Sequence, residues 1–399
     1  MNRREFLEAA GAAFAAAMAA ATRLEAGTPK KLSRGSGMPQ RPLGNTGQNV
    51  SLIAFGGIAL APLSRTEAVS ALRSVIDRGV NHLDVAPSYL DAEVKMGPAL
   101  RGGYREHVFL ACKTLERSRE GARRELEQSL RRLGTDHFDL YQFHAVDTLE
   151  ELNQILAPGG AMETFEAARE KGLIRFIGIT GHHPGVQLEA LRRYPFAAIM
   201  VPVDFVDHFY INPEGGLLPY AQKKGVGMIA IKATYRGTVK DLEAALRPTP
   251  APPTTINIPA RKIKGLEAAY RYTFAQPITN TIPAGNMGEI NAAIDMAPKL
   301  QPLSVAEMAA LFRDSPDLAN TVCRQCGFCL PCPAGIDILH LFALEGYGKR
   351  YRQKDAAATY RSLKVRGSAC IECGECTSRC PFGLDAMNRI KRMDAAFGI

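Results

Sequence analysis

Between residues 41 and 300, short apolar runs alternate with helix-like segments, and eight such units follow one another. The runs read SLIAFGG, VNHLDVA, VFLACKT, FDLYQFH, IRFIGIT, AAIMVPVDF, VGMIAIKA and TNTIPAG. The segment SREGARRELEQSLRRLG shows the other half of a unit: Leu126, Leu130 and Leu133 recur at helical spacing, and Gly134 supplies a stop. Eight strand–helix units in about 260 residues have the length and rhythm of an α/β chain closed into a (β/α)8 TIM barrel. With 46% hydrophobic residues in 399, the chain has material for a large core and a small appendage besides.

The appendage announces itself through cysteine. Eight of the nine cysteines fall in CRQCGFCLPCP and CIECGECTSRCP, two runs that each close on Cys-Pro. Sulfurs two residues apart in tight turns suit thiolates around a common centre better than disulfides to distant segments. Paired C-x-x-C motifs would serve zinc, but the second run, C-x-x-C-x-x-C-x-x-x-C-P, matches the bacterial ferredoxin signature and favours iron–sulfur. In two-cluster ferredoxins the fourth cysteine of each run binds the other cluster. The expected sets are therefore Cys323, Cys326 and Cys329 with Cys380, and Cys370, Cys373 and Cys376 with Cys332. The first run has two residues rather than three before its Cys-Pro, so either two [4Fe-4S] clusters or one is compatible with the spacing. Cys112, in the apolar run VFLACK, reads as a small buried hydrophobe.

The N-terminus reads MNRREFLEAAGAAFAAAMAAATRLEAG: two arginines, Arg3 and Arg4, then Phe6-Leu7 and an alanine-rich stretch with small residues suited to cleavage. It is similar to a twin-arginine export signal over residues 1–26, with a linker over 27–40, and implies a periplasmic or otherwise exported bacterial protein. The stretch is too short and too weakly apolar for a membrane span, and no other segment approaches the length one needs. A twin-arginine route carries folded proteins, which a chain whose clusters are assembled in the cytoplasm requires. The formal charge of +9 falls to about +5 once two clusters with their cysteinates are counted, which gives no reason to expect nucleic acid. The basic stretch Lys349 to Lys354, with Arg361, Lys364 and Arg366, reads as a solvated face or a docking surface for an acidic redox partner.

A barrel of this kind keeps its chemistry at the C-terminal ends of its strands. Three consecutive runs end in ionisable groups: the second in Asp84, with Tyr89 five residues on, the third in Lys113 and the fourth in His144. Singly, each has an ordinary use as a cap, a core residue or a snorkelling cation. Together, on neighbouring strands, they would converge on one spot.

These segments, LDVAPSY, VFLACK and YQFH, with the opening RPLGNTGQNVSLIAFGG and the continuation YLDAEVKMGPAL, resemble the aldo/keto reductase family. The resemblance extends to its branch with a C-terminal, mainly α-helical ferredoxin-like iron–sulfur domain, here residues 301–399 after a barrel at 41–300. It implies an oxidoreductase acting on a small carbonyl or alcohol, with Asp84, Tyr89, Lys113 and His144 as catalytic tetrad. Tyr89 would be the acid, and Asp84 would keep Lys113 charged. A Lys113 ammonium about 4 Å from the phenol would favour the phenolate by about 4 kcal/mol at an effective dielectric near 20. His144 would orient the substrate oxygen. The resemblance also implies NADP(H), with Gly285 and Asn286 before a helix N-terminus offering N–H groups to phosphate. Where the family has Ser-Asn, Gln and often an aromatic residue around the nicotinamide, this chain has Thr180-Gly181, Pro202 and Ile231, with His182-His183 beside them. A protein that docks redox partners through its clusters, its barrel no longer catalysing nicotinamide chemistry, is the alternative reading.

Overall fold

The computed structural model describes residues 37–234, 266–283, 286–313, 323, 328–350, 353–380 and 383–398. The export signal, most of its linker, Gly285, Cys326 and part of the Lys349 to Lys354 stretch lie outside the described residues.

All eight apolar runs form strands. After a hairpin of β1 (Gln40–Pro42) and β2 (Asn49–Ser51) come β3 (Phe55–Gly56), β4 (His82–Asp84), β5 (Phe109–Thr114) and β6 (Phe138–Phe143). They are followed by β7 (Ile174–Thr180), β8 (Ala198–Pro202), β9 (Gly227–Ile231) and β10 (Asn280–Ile282). β3 to β10 pair in parallel, each with its neighbour in sequence. The sheet closes where Ile53 bridges Thr281, Ala54 N donating to Thr281 O at 2.9 Å. Consecutive parallel strands need crossovers, and the helices between them supply these. The Arg119–Leu133 helix begins where the Ser118 hydroxyl accepts from Gly121 N and ends on Gly134 at φ +64, a left-handed turn that glycine adopts freely. Leu126 and Leu133 are buried, and Leu130 packs at the margin.

Two apolar layers result. Strand side chains facing outward, such as Leu110, Cys112 and Tyr141, pack with the helices. Those facing inward, including Phe109, Ala111, Leu140, Met200 and Ile229, fill the barrel with Leu43 of the hairpin turn beneath them. The period of two along a strand then puts Lys113 on the inward face with Phe109 and Ala111, and Gln142 with Leu140. Gly178 opposes Gln142 on β7, and a Cβ there would stand 2.9 Å from Gln142 Cγ. A larger residue would push that amide from its place.

The C-terminal region is helical, with Ile338–Arg350, Gln353–Ser362 and Ala386–Phe397 as its longer members. Its core is continuous with the outer surface of the barrel: Ile338, Leu341 and Phe342 share one cluster with Phe205 and Ile211 from the segment after β8, and with Tyr272. Arg271 forks onto Glu307 at 2.9 and 3.1 Å, tying the last barrel segments to the helix Val305–Arg313. Since Phe205–Tyr210 follows β8, the cluster region sits toward the C-terminal mouth, on the β7–β8 side. Among the described residues no helix is long and apolar enough to cross a membrane.

Candidate active site and cluster sites

The four strand-end residues meet. Lys113 Nζ forms an ion pair with Asp84 Oδ1 and donates to the Tyr89 hydroxyl at 3.1 Å and to Val85 O at 3.2 Å. The register that sets Asp84 beside Ala111 and Lys113 beside Gln142 makes this possible, because neighbouring inward positions at one level share the barrel interior. The His144 ring stands edge-on to Tyr89, with centroids 5.7 Å apart, and its Nδ1 lies 3.4 Å from Ser88 Oγ.

Burial of Lys113 works against its charge. The Asp84 carboxylate, and after it the Tyr89 oxygen, outweigh that cost and leave the ammonium pKa raised. The structure reverses the expected sign at Tyr89. Burial pushes its hydroxyl up, Lys113 pulls it down and Asp84 pushes it up again, with a net rise. Burial of the hydroxyl, more than the Asp84 charge, outweighs the pull of Lys113. The phenol is therefore protonated at neutral pH and a weaker acid than an unperturbed tyrosine, so donation relies on Lys113 stabilising the phenolate. Burial, then the charges of Lys113, His182 and Arg117, lower His144 to about 2, so its ring is neutral.

Two participants carried no sequence signal that singled them out. Gln142 Nε2 donates to Asp84 Oδ2 at 3.2 Å, fixing the carboxylate from the side opposite Lys113. Arg117 Nη2 donates to His144 O at 2.7 Å and Ala145 O at 3.2 Å. For Gln142 the strand period was a usable clue, since it shares Leu140's face; nothing local marked Arg117.

Around the mouth, the residues expected to hold nicotinamide are engaged within the chain. The Thr180 hydroxyl accepts from Ala145 N at 2.9 Å, Pro202 ends β8 without an N–H, and Ile231 ends β9 packed against the barrel interior. His182 Nδ1 and N contact the Asp147 carboxylate, and His183 Nδ1 caps the Pro184–Arg193 helix. The His183 ring also lies 6.3 Å from that of His340 in the cluster region. Asn286 caps Met287–Met296 by accepting from Glu289 N at 2.9 Å. The buried Glu289 carboxylate accepts from Thr234 Oγ1 at 2.7 Å and Tyr270 OH at 3.4 Å. A carboxylate in the first helical turn meets the positive end of the helix dipole that a phosphate would otherwise use. Among the described residues, Thr180, Pro202 and Ile231 offer no side-chain amide to a nicotinamide, and Gly285 lies outside them.

The cysteines fit clusters better. Cys329, Cys332, Cys370, Cys373 and Cys376 line one cavity, which brings the fourth cysteine of the first run to the first three of the second. Burial raises the Cys376 thiol, with Cys370 and Cys332 adding to the rise. Cys323 is buried in the core shared with the barrel, and Leu384 N approaches Cys380 Sγ at 3.4 Å. Cys112 is fully buried, its thiol pushed well up.

A closed eight-stranded parallel barrel with an Asp84–Lys113–Tyr89 contact at its C-terminal mouth has titratable groups where barrel enzymes keep their chemistry. The chain belongs to the aldo/keto reductase family, whose model matches residues 52–309, and residues 322–384 match a 4Fe-4S dicluster domain. Among curated proteins it is 29% identical over 217 residues to L-galactose dehydrogenase of Arabidopsis thaliana, covering 50% of this chain and 67% of that one. It is 27% identical over 224 residues to the uncharacterized oxidoreductase YqkF of Bacillus subtilis, covering 52% and 69%. Among solved structures, the aldo-keto reductase AKR11C1 of Bacillus halodurans, in its holo form, superposes with a TM-score of 0.58 at 27% identity. That match covers 69% of this chain and 96% of the other.

Proposed function

We propose that this aldo/keto reductase is an exported iron–sulfur enzyme that reduces a small carbonyl, or oxidises the corresponding alcohol, with Tyr89 as acid and base. The observation that carries the reading is the 3.1 Å contact of Lys113 Nζ with the Tyr89 hydroxyl, backed by Asp84.

Reduction of a carbonyl places a hydride, two electrons with one proton, on the carbon, from a donor of the dihydronicotinamide class, and a second proton on the oxygen. Tyr89, protonated at neutral pH, gives its proton to the substrate oxygen as negative charge develops there. Lys113 stabilises the phenolate left behind, and Asp84 with Gln142 keeps Lys113 aimed. Neutral His144 holds the substrate oxygen near the phenol. [4Fe-4S] clusters supply one-electron transfer when bound. In this proposal one is held by Cys332, Cys370, Cys373 and Cys376, and the other by Cys323, Cys326, Cys329 and Cys380. A redox partner protein exchanges electrons with them. Exposed Cys373 and its neighbour Ile371, 66% exposed, suit a contact surface beside the first set.

The second reading, an electron-transfer or docking protein on a retained barrel, is favoured by the engagement of Thr180 with Ala145 and by Pro202. Offering aldehydes and ketones to the anaerobic chain, with dithionite or with NADPH as sole donor, separates the two. Alcohol formed with either donor supports the enzyme; none with both, from protein carrying its iron, supports the carrier. Export is tested by native mass spectrometry of a periplasmic fraction, where the proposal expects a mature chain shortened at its N-terminus and still loaded with iron.

A further inference from the structure

We propose that Arg117 is a positioning residue for this site, clamping the backbone from which His144 projects. The inference rests on the catalytic reading above.

Arg117 follows β5 and reaches across to the end of β6. Its Nη2 donates to His144 O at 2.7 Å, to Ala145 O at 3.2 Å and to Glu151 Oε1 at 3.1 Å, while Nη1 lies 3.5 Å from Thr114 O. Its side chain is 13% exposed. One planar guanidinium thus spans two strand ends and a helix start, with Nη2 sharing its two N–H groups among three oxygens while Nη1 reaches a fourth, a spread of donors over two nitrogens that a lysine lacks. The segment it holds does not lie there by default: Ala145 has φ +52, a left-handed conformation that alanine rarely adopts. The other side of the same peptides is tied to β7, with Ala145 N donating to Thr180 Oγ1 at 2.9 Å and Val146 N to Thr180 O at 2.8 Å. Glu151 completes the clamp, its second oxygen accepting from Asp147 N at 2.9 Å and Thr148 N at 3.3 Å.

His144 is thereby held from below through its own carbonyl while its ring faces Tyr89 and Ser88. Lys113, His182 and Asp147 are the other charged or titratable groups acting on the ring, and the Arg117 charge adds to those that keep it neutral. The sequence marks His144 but not the clamp, because Arg117 lies on a different strand–helix unit.

The test uses the full chain with its clusters, comparing wild type with Arg117→Met, Arg117→Lys and Glu151→Gln. Histidine-selective nitrogen NMR over about pH 5 to 8 reads the imidazole, with the signal assigned by His144→Gln. Wild type is expected to show one neutral tautomer, and Arg117→Met a mixture. Arg117→Lys restores the charge without the fork and keeps the mixture. Glu151→Gln gives a smaller disturbance of the same kind. Carbonyl turnover is expected to fall on the order of 100-fold in Arg117→Met, mainly in kcat. An unaltered His144 signal in folded Arg117→Met, or in Arg117→Lys should the first variant fail to fold, overturns the proposal. Tyr89→Phe assayed in parallel separates the two claims. Wild-type behaviour in the Arg117 variants with a dead Tyr89→Phe refutes the clamp alone. Absent turnover in wild type refutes the catalytic reading and leaves the NMR to decide the clamp.

Discussion

The two sides of the barrel mouth differ. On the β4–β6 side, Asp84, Tyr89, Lys113 and Gln142 form a buried set of contacts directed at one hydroxyl. On the β7–β10 side, Thr180, Asn286 and Glu289 spend their polar groups on the chain's own backbone and side chains, and the C-terminal region packs on Phe205, Ile211 and Tyr272. The contrast is one of wiring: one side directs its polar groups at a single hydroxyl, the other directs them at the chain itself. The contacts among Asp84, Tyr89, Lys113 and Gln142 are made by β4–β6 and the turn after β4 alone.

The largest effect that sharpens this comparison is expected from Lys113→Met. It leaves the buried Asp84 carboxylate without its cation, costing about 3–5 kcal/mol by denaturant titration, and it abolishes carbonyl turnover. Thr180→Val, on the other side, removes one hydroxyl acceptor and costs about 1 kcal/mol. Equal losses in the two variants would break the distinction.

Next in size is cluster loading. Cys329 lines the same cavity as Cys332, Cys370, Cys373 and Cys376, so the crossed ligand sets are tested by substitution: Cys332→Ser and Cys373→Ser should each remove one cluster, leaving about half the iron and the same residual electron paramagnetic resonance spectrum, and Cys329→Ser the other. Distinct residual spectra from Cys332→Ser and Cys373→Ser would refute the crossed ligand sets.

Acid should weaken the barrel. Burial and, at each site, a neighbouring cation or histidine lower His82 to about 3, His144 to about 2 and His183 to about 4. Each lies below the unfolded value near 6.5, so the unfolded chain binds more protons and stability falls as pH drops below about 6.5. The slope is about 1.4 kcal/mol per pH unit for each histidine until its folded pKa is reached. Denaturation midpoints at pH 7 and 5, with and without His82→Phe, measure one share of it.

The smallest effect is expected from Pro202→Gln. A side-chain amide there could add one hydrogen bond to a nicotinamide, worth about 1 kcal/mol or roughly fivefold in affinity. Tight dinucleotide binding in the unaltered chain would erase the contrast between the two sides.

The eight strands and the meeting of Asp84, Tyr89, Lys113 and His144 were legible because strand period and barrel closure turn sequence order into spatial order. Helix Arg119–Leu133 was legible to its last residue because Gly134 ends it locally. The sign of the Tyr89 shift was not, since it depends on three mutually balancing groups at distances no spacing rule provides. Arg117 and the approach of His183 to His340 were hidden for a related reason: they join segments far apart in sequence. Thr180 was readable as a strand-end hydroxyl, but its acceptance of Ala145 N depends on the turn that follows His144.

The most direct test of the central claim is the pH dependence of alcohol formation by the cluster-loaded chain, compared between wild type and Tyr89→Phe. With the Tyr89 hydroxyl raised by burial, the wild-type rate should hold through neutral pH and decline only above the ordinary tyrosine range near 10. Tyr89→Phe should make no alcohol at any pH while folding normally. Product from Tyr89→Phe at the wild-type rate, or an identical alkaline decline in both, would contradict the assignment of Tyr89 as the acid.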